Sequence, residues 1–541
     1  MTVILGSIEF DEGIIKRQLR RDLLDDWFPD PRRFEDMLDN EHIEAILRDN
    51  FARNEGAFKP EKRALFNIPK NNFTLRYGLE ISLAERALYH ALAARLVPLY
   101  DPLIPWCVFS HRAAEKSEDR YLFRRAIPAW QDFTGVVRDG LTSAGFLLST
   151  DLTNYFENID LKKLHETLID LLPELHTDSG EKAVIRTYIA SLFECLKSWC
   201  YSEHAGLPQN RDASSFLANI YMLPVDRAMI DKGYRYFRYM DDIKIACDSE
   251  HQARQALKAL SLELRKRGLA VNSGKTEIVP LTQTAEVSKC LDVGEAELQQ
   301  IDSIWQTRSL RSISRSFPLL RDLSQRLLRG GEVGSRAFRY CIRRLEALAS
   351  CPEFEVPDAY FAPITPLVID ALSTHPAATD ELARYLRAVP TTNHDLDRVA
   401  QLLQDDGRNY YTWQNYRLWA LLVQKDFNQS ELVTYAMSVV QDQPDCATRC
   451  GATLYAGAFG SKKDREEIAQ RFGDLESFMG QRAALLAIQE LHYAPYIRKH
   501  VQPKLRNDLK NVYRSFNRQG VYVAPPLPVS ITGILDTERA S

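Results

Sequence analysis

Three aspartates are the residues of this chain whose types and setting could do chemistry. Asp241 and Asp242 are adjacent in Tyr236-Phe-Arg-Tyr-Met-Asp-Asp-Ile-Lys-Ile-Ala-Cys247, with β-forming residues on both sides of the acidic pair. The pattern predicts two strands joined by a turn that carries the pair. Two carboxylates about 4 Å apart repel by roughly 1 kcal/mol in water and about 4 at an effective dielectric of 20, so a partly buried pair calls for a cation. Asp151 stands in a matching context, at the end of the apolar run Phe146-Leu-Leu-Ser-Thr-Asp151, which predicts a strand with the carboxylate at its C-terminal end. Three such carboxylates can hold a pair of Mg2+ ions about 4 Å apart, an arrangement that activates an attacking hydroxyl and stabilises a pyrophosphate leaving group.

Other elements must bring these groups together. Arg63-Ala-Leu-Phe-Asn-Ile-Pro-Lys70, a turn at Asn71 and Asn72, and Phe73-Thr-Leu-Arg76-Tyr-Gly-Leu-Glu-Ile read as a hairpin with Lys70 and Arg76 near its two arms. Cations placed there would neutralise a triphosphate and clamp it. A helix is expected from Leu83 to Leu99, with Leu83, Ala87, Leu88, Ala91, Leu92, Leu96 and Val97 as its apolar stripe. Before the hairpin, charged residues alternate with Ile43, Ile46 and Leu47 at helical spacing. After Thr276 strand character fades. Residues 308–344 hold ten Arg and no Lys; Arg308, Arg311 and Arg315 fall on one helical face and Leu310, Ile313 and Phe317 on another, with Pro318 ending the segment. Arg forks bind phosphate through two oxygens at once, so this cluster is expected to grip nucleic acid. From about 353 to 520 the pattern is helical almost throughout, and Arg417, Arg449 and Arg482 head similar segments at spacings of 32 and 33, the period of stacked helical pairs.

Composition sets the outer bounds. With 541 residues, 45% hydrophobic and 26% charged, the chain is long enough for several cores and ordinary for a soluble protein. A net charge of -4 argues against a surface coated in positive charge, yet a local basic groove suffices for nucleic acid. Nine scattered cysteines do not make a disulfide framework and suit a reducing cytoplasm; Cys446 and Cys450 read as a packed helix face rather than a metal site. No leader pattern or transmembrane-length run is visible, so a cytoplasmic protein without membrane attachment is expected.

In their order along the chain, the motifs resemble those of the reverse transcriptases. Tyr239-Met-Asp-Asp242 resembles the YxDD box, and Asp151 to Ile159 resembles the metal-binding strand as bacterial members write it. Gly206-Leu-Pro-Gln209 followed by Ser214-Ser-Phe-Leu-Ala-Asn219 resembles the motif whose Gln contacts the incoming nucleotide. Gly268-Leu-Ala-Val-Asn272-Ser-Gly-Lys275-Thr276 resembles the palm segment whose Lys protonates pyrophosphate, and Ile68-Pro-Lys70 with Arg76 has the spacing of the triphosphate-holding residues. Glu85-Arg86 and Ser110-His-Arg112 resemble further elements of group II intron and retron-type enzymes. The resemblance implies Asp151, Asp241 and Asp242, with the Leu152 backbone carbonyl, as ligands of two Mg2+ ions, Mn2+ being the alternative. It implies Lys275 as general acid, Lys70, Arg76, Arg112, Phe156 and Gln209 as nucleotide-binding residues, and Arg308, Arg311 and Arg315 as a thumb's contacts to nucleic acid. Phe156, five residues past Asp151, stands where relatives carry an aromatic gate against the ribose 2′-hydroxyl; the alternative is that Tyr155 or Phe156 is simply core.

The implied fold is an α/β right-hand polymerase, with fingers and a palm bearing the YxDD hairpin, followed by an all-α thumb and a HEAT-like helical-repeat domain. Its parts are an N-terminal helical extension over 1–55, fingers and palm over 56–290, an Arg-rich thumb-like segment over 291–350, helical repeats over 351–520 and a tail over 521–541. Asn210 stands where relatives have Gly after Pro-Gln, and Asn tolerates a left-handed backbone best among residues with side chains. A polymerase joined to helical repeats, without a recognisable maturase, integrase or ribonuclease H block, resembles the bacterial abortive-infection reverse transcriptases. That resemblance implies antiphage defence, homo-oligomers, and dNTP addition primed on a protein hydroxyl without a template, the DNA product then being attached to the protein. Two alternatives stay open: a templated reverse transcriptase using a partner non-coding RNA, and a non-catalytic nucleic-acid-binding scaffold.

Overall fold

The structure, a computed structural model, describes residues 3–4, 12–23, 26–37, 57–58, 60, 63–114, 121–291, 296–491, 494–510 and 520–525. Ile43, Ile46 and Leu47, on which the expected early helices rest, and the tail after 525 lie outside the described residues.

Strands β1 (Val3–Ile4) and β2 (Ala57–Phe58) pair antiparallel, and β3 (Ala64–Pro69) and β4 (Leu75–Glu80) form a hairpin closed at Asn71–Phe73. Asn72 adopts a left-handed φ of 58°, a conformation that Asn accepts at small cost. The central sheet has the order β6-β7-β5-β8, all neighbours antiparallel: β5 (Phe146–Thr150), β6 (Arg235–Tyr239), β7 (Asp242–Cys247) and β8 (Glu277–Pro280). β8 corrects the expectation that strand character ends at Thr276. Glu-Ile-Val-Pro is too short to show a period of its own, but it finds an edge on β5 and stops at Pro280. Helices Ala126–Leu141 and Glu250–Lys266 pack on this sheet.

The helix Leu83–Tyr100 buries its whole stripe, and also Glu85, Arg86 and His90. It begins in a capping box, Ser82 with Glu85, and the Glu85 carboxylate also accepts from Trp199 Nε1 at 2.8 Å. Arg86 is likewise met by protein, at the Ile81 carbonyl and Asp26, and His90 faces Asp22 at 3.6 Å.

From Ala296 to His500 the described elements are helical. The arginine segment differs from its expected form. The helix runs only from Leu310 to Arg315 with Ser309 as N-cap, so Arg308, at a left-handed φ of 55°, precedes it and does not share a face with Arg311 and Arg315. Leu310 is exposed while Ile313 is buried, and Pro318 opens the next helix, Phe317–Arg329, because a proline in the first turn forfeits no hydrogen bond. Beyond it, helices Arg336–Ser350, Thr379–Ala388, Thr412–Gln424, Ala447–Phe459 and Phe478–Ala487 pack side by side in sequence, each with a companion helix on the outer layer. Gly451 and Gly457 permit the close approach: a Cβ at Gly457 would lie 2.4 Å from Ala487 Cα. Among the described residues no helix is long and apolar enough to cross a membrane.

Gly457→Ala meets backbone rather than a movable side chain, so the row must open. A destabilisation of about 1–3 kcal/mol is expected, read as a lower thermal midpoint of the full chain.

Candidate active site

Thr150 pairs with Ile243 across β5 and β7, so one residue further on Asp151 falls beside Asp242. The β6–β7 turn holds Met240 and Asp241, with Tyr239 paired to Asp242. Asp241 hydrogen-bonds the Asp151 carboxyl, and its own pKa is pushed up to about 7, first by burial and then by the charges of Asp151 and Asp242. Asp242 is raised as well, by burial, against the pull of Lys244. The site thus carries more negative charge than its surroundings accept.

Two lysines answer part of it. Lys275 Nζ lies 2.6 Å from Asp151 Oδ2, a bond that keeps the ammonium protonated beyond the usual lysine range. Lys244, buried on β7, places Nζ 2.8 Å from Asp242 Oδ1 and 2.8 Å from Ser149 Oγ. With Asp151 and Asp242 each drawn to a lysine, no three carboxylate, imidazole or thiolate groups among the described residues close into a ready cation cage. The donors are nonetheless all hard carboxylate oxygens, the set that suits Mg2+ or Mn2+.

The turn itself is held from below. Met240 has a left-handed φ of 57°, unfavourable for a side-chain-bearing residue. Its N–H donates to Ser110 Oγ at 2.9 Å and its carbonyl accepts from Arg238 Nη1 at 2.9 Å. Arg238 and Asp226 are both at 0% exposure and pair at 2.6 Å, with Asn219 Oδ1 accepting from the same guanidinium at 2.9 Å. Asn219 Nδ2 returns to the Ser110 carbonyl at 2.7 Å. This network fixes where Asp241 stands.

Around the carboxylates, Lys70 donates to Asn154 Oδ1 at 3.3 Å, which ties the β3–β4 hairpin to the segment after β5. The Lys70 pKa is lowered by burial and by Arg76, with Lys275, Asp151 and Glu157 also acting on it, so these groups share one environment. Arg76 lies over the Trp27 ring at 5.6 Å. Tyr155 is the core member of its pair, its hydroxyl bonded to the Ala218 carbonyl at 2.5 Å, while Phe156 is only half-buried. Leu207 N donates to the Phe156 carbonyl at 3.0 Å and Gly206 N to the Ile159 carbonyl at 2.8 Å, which brings Gln209 alongside this turn. Gly206 is required there, since at φ 104° a Cβ would meet Tyr201 Cδ2 at 2.4 Å. Asn210 is left-handed, φ 61°. Leu152 bridges Val271, the bonds running from Asn272 N to the Asp151 carbonyl and from Thr153 N to the Ala270 carbonyl.

Two groups of sequence candidates are not brought to the carboxylates. Arg112 spends its guanidinium on Asp101, at 2.8 Å, and on the carbonyls of Pro105, Val108 and Asp101. It is a loop anchor in this structure. Arg311 and Arg315 are exposed on the helix Leu310–Arg315, and Arg308 is exposed just before it. Conversely, Lys244, Asn154, Asp226 and Arg238 went unnoticed in the sequence. Only Lys244 carried a signal there, as the residue two beyond Asp242 and hence on the same strand face.

Residues 68–300 match the family model described as "Reverse transcriptase (RNA-dependent DNA polymerase)". Over that segment, less than half of the chain, the sequence matches a reverse transcriptase domain. No curated protein matches the chain. Among solved structures the chain is similar to a telomerase from Candida albicans, in complex with a TWJ fragment of telomeric RNA, at 13% identity and a TM-score of 0.29. The overlap covers 66% of this chain and 64% of the telomerase chain.

Unfolded Asp releases its proton near pH 3.9, whereas folded, metal-free Asp241 holds its proton to about pH 7. The folded state binds more protons between roughly pH 4 and 7, so this group's contribution to stability falls as pH rises through that window. A divalent cation that takes the ionised form offsets the loss. The gain in thermal midpoint on adding Mg2+ is expected to be larger at pH 8 than at pH 6; equal gains at both would contradict the assignment. Separately, Asp226→Asn leaves Arg238 buried without a counter-charge and should cost about 3–5 kcal/mol in denaturant unfolding.

Proposed function

We propose that the chain is a Mg2+-dependent DNA polymerase of reverse-transcriptase type that acts in antiphage defence, adding dNTPs by protein-primed, template-independent synthesis. The observation that carries the polymerase reading is the cluster of Asp151, Asp241 and Asp242 at adjacent strand ends, with the Asp241 carboxyl raised by burial and then by its acidic neighbours. In this reading those three residues, with the Leu152 carbonyl, hold two Mg2+ ions. When bound, the ions lower the pKa of the attacking hydroxyl and neutralise the leaving pyrophosphate.

The chain's own residues supply the rest. Lys70 and Arg76 neutralise the triphosphate from the hairpin side and orient it for in-line attack. Lys275, kept protonated by Asp151, is the acid that delivers a proton to the departing oxygen. Phe156 offers a half-buried ring to the sugar and excludes a 2′-hydroxyl. Gln209 stands on the neighbouring run and contacts the nucleotide. The exposed Arg311 and Arg315 receive the phosphates of the product strand.

Defence and untemplated synthesis rest on narrower ground. Asn210 puts a side chain where close backbone approach to a templated base pair would need Gly. The helices from Arg336 to Ala487 stack in the manner of HEAT-like repeats, a surface suited to self-assembly, and the pairing of such an array with a reverse transcriptase domain resembles the abortive-infection enzymes. A templated enzyme with a partner RNA would share every carboxylate and lysine and differ only in needing that RNA.

The test uses purified, nuclease-treated protein with labelled dNTPs and Mg2+ and no added nucleic acid, analysed on denaturing gels before and after protease. Label that migrates with the protein until digestion is the expected result. Incorporation seen only after RNA is restored would replace this reading by the templated one. Asp241→Ala with Asp242→Ala should reduce incorporation below detection while the fold persists by circular dichroism, and full activity in that variant would end the polymerase reading altogether.

A further inference from the structure

Residues 26–37, with Asp22 at the end of the helix before them, lie between the Gln209–Asn210 loop and the helical row and are bonded to both. On the loop side, Arg211 follows Asn210 directly, is fully buried, and donates from Nη1 to the Asn210 carbonyl at 2.8 Å. Its guanidinium faces Asp22 at 3.6 Å and Asp26 and Glu80 at 3.5 Å. Arg86 shares the same acids, 2.8 Å from Asp26 and 3.7 Å from Asp22. Two cations and three carboxylates thus form one buried cluster directly behind the loop that carries Gln209.

On the other side, the helical row grips the backbone of the same segment. Arg417 Nη2 donates to the Asp26 carbonyl at 3.3 Å and the Trp27 carbonyl at 2.9 Å. Trp413 Nε1 adds a bond to the Trp27 carbonyl at 2.8 Å, and Tyr416 Oη one to the Pro29 carbonyl at 2.9 Å. Further along, Arg482 holds Asp30 at 2.8 Å and Asp36 at 2.7 Å. Trp27 closes the circuit, because its ring lies under the Arg76 guanidinium on β4.

We propose that Arg211 and Trp27 are positioning residues for nucleotide binding, and that the helical row, through the hold of Arg417 and Trp413 on the strap of residues 26–37, sets the affinity of the site for dNTP. The strap reaches the two sides of the site independently, Gln209 through Arg211 and the phosphate-holding Arg76 through Trp27. Asn210 is left-handed, a conformation Asn accepts at small cost, and Arg211 tethers its carbonyl. Arg211 in turn faces Asp26, whose own carbonyl accepts from Arg417 of the row. This inference rests on the polymerase reading and assigns the second half of the chain a share in substrate binding.

The repeat supplies its own control. Arg449, one repeat after Arg417, is also buried but bonds Asp474 at 3.6 Å and the Gln443 carbonyl at 3.3 Å, away from the strap. Arg417→Lys keeps a cation, but a single ammonium cannot reach the Asp380 carboxylate and the two strap carbonyls from separate nitrogens as the guanidinium does. Steady-state incorporation by the full chain should show KM for dNTP raised about tenfold in Arg417→Lys and Arg211→Lys with kcat within twofold. Arg449→Lys should leave KM unchanged. Trp413→Phe, which removes a single donor and keeps the aromatic packing, should raise KM two- to threefold and serves if Arg417→Lys does not fold. Equilibrium binding of a fluorescent dNTP with Ca2+ in place of Mg2+ should follow the same order. Unchanged KM in Trp413→Phe and in folded Arg417→Lys, or an equal rise in Arg449→Lys, would overturn the proposal. Wild-type protein that binds no dNTP would instead overturn the polymerase reading, and this inference with it.

Discussion

Three carboxylates at the ends of neighbouring strands resist standing together, and much of the central sheet can be understood as the means of holding them there. Each pair at about 4 Å costs on the order of 4 kcal/mol where the effective dielectric is near 20. The antiparallel order β6-β7-β5-β8 puts Asp151 beside Asp242 by register alone, and the left-handed Met240 swings Asp241 against Asp151. Lys275 and Lys244 offset part of the charge by taking one carboxylate each. The remainder shows as the raised pKa of Asp241, the group without a lysine of its own. Asp151 and Asp242 are thus each engaged by an ammonium group, while Asp241 hydrogen-bonds Asp151.

The same constraint explains an arrangement that is otherwise expensive. Burying Arg238 and Asp226 together at zero exposure incurs desolvation that their attraction barely returns, and an apolar pair of similar volume would often be at least as stable. What an apolar pair could not do is bond the Met240 carbonyl and Asn219 at once. Arg238 spends its donors on Asp226, Asn219 and Met240, and Ser110 closes the loop from the other side. The turn is therefore set by four side chains drawn from three separate stretches of chain.

That division marks what the sequence could tell. The aspartates were legible because each sits at a local boundary, where an apolar run meets an acid, and because the sheet needs only period-two patterning to be anticipated. Lys70, Arg76, Lys275 and Gln209 were singled out by their resemblance to family motifs, and of these Lys70 and Lys275 share one environment with Asp151. The partners that decide whether a charged residue faces solvent, ligand or protein were not legible: Arg112 is claimed by the Asp101 carboxylate and by the carbonyls of Asp101, Pro105 and Val108, Asn154 is reached by Lys70 from 84 residues away, and Arg211 meets Asp26 across 185. β8 was invisible because four residues carry no period, and the helix start at Ser309 was missed because Arg308, in a left-handed turn, imitates a helical position.

The arginines of the helical row show the limit most clearly. Arg417, Arg449 and Arg482 recur at nearly one period and all three are buried, so the repeat delivers an equivalent cation to equivalent places in the row. Their partners are nevertheless of three kinds. Arg417 takes the Asp380 carboxylate and two backbone carbonyls of the N-terminal segment, Arg449 bonds a carboxylate and a carbonyl within the array, and Arg482 takes two strap carboxylates. A buried guanidinium carries five donors that call for acceptors. The segment from Asp26 to Asp36 supplies acceptors to two of the three, which ties the start of the chain to its far half. The array and the reverse transcriptase domain are consequently parts of one buried hydrogen-bonded structure, and a change in either one bears on the strap that both hold.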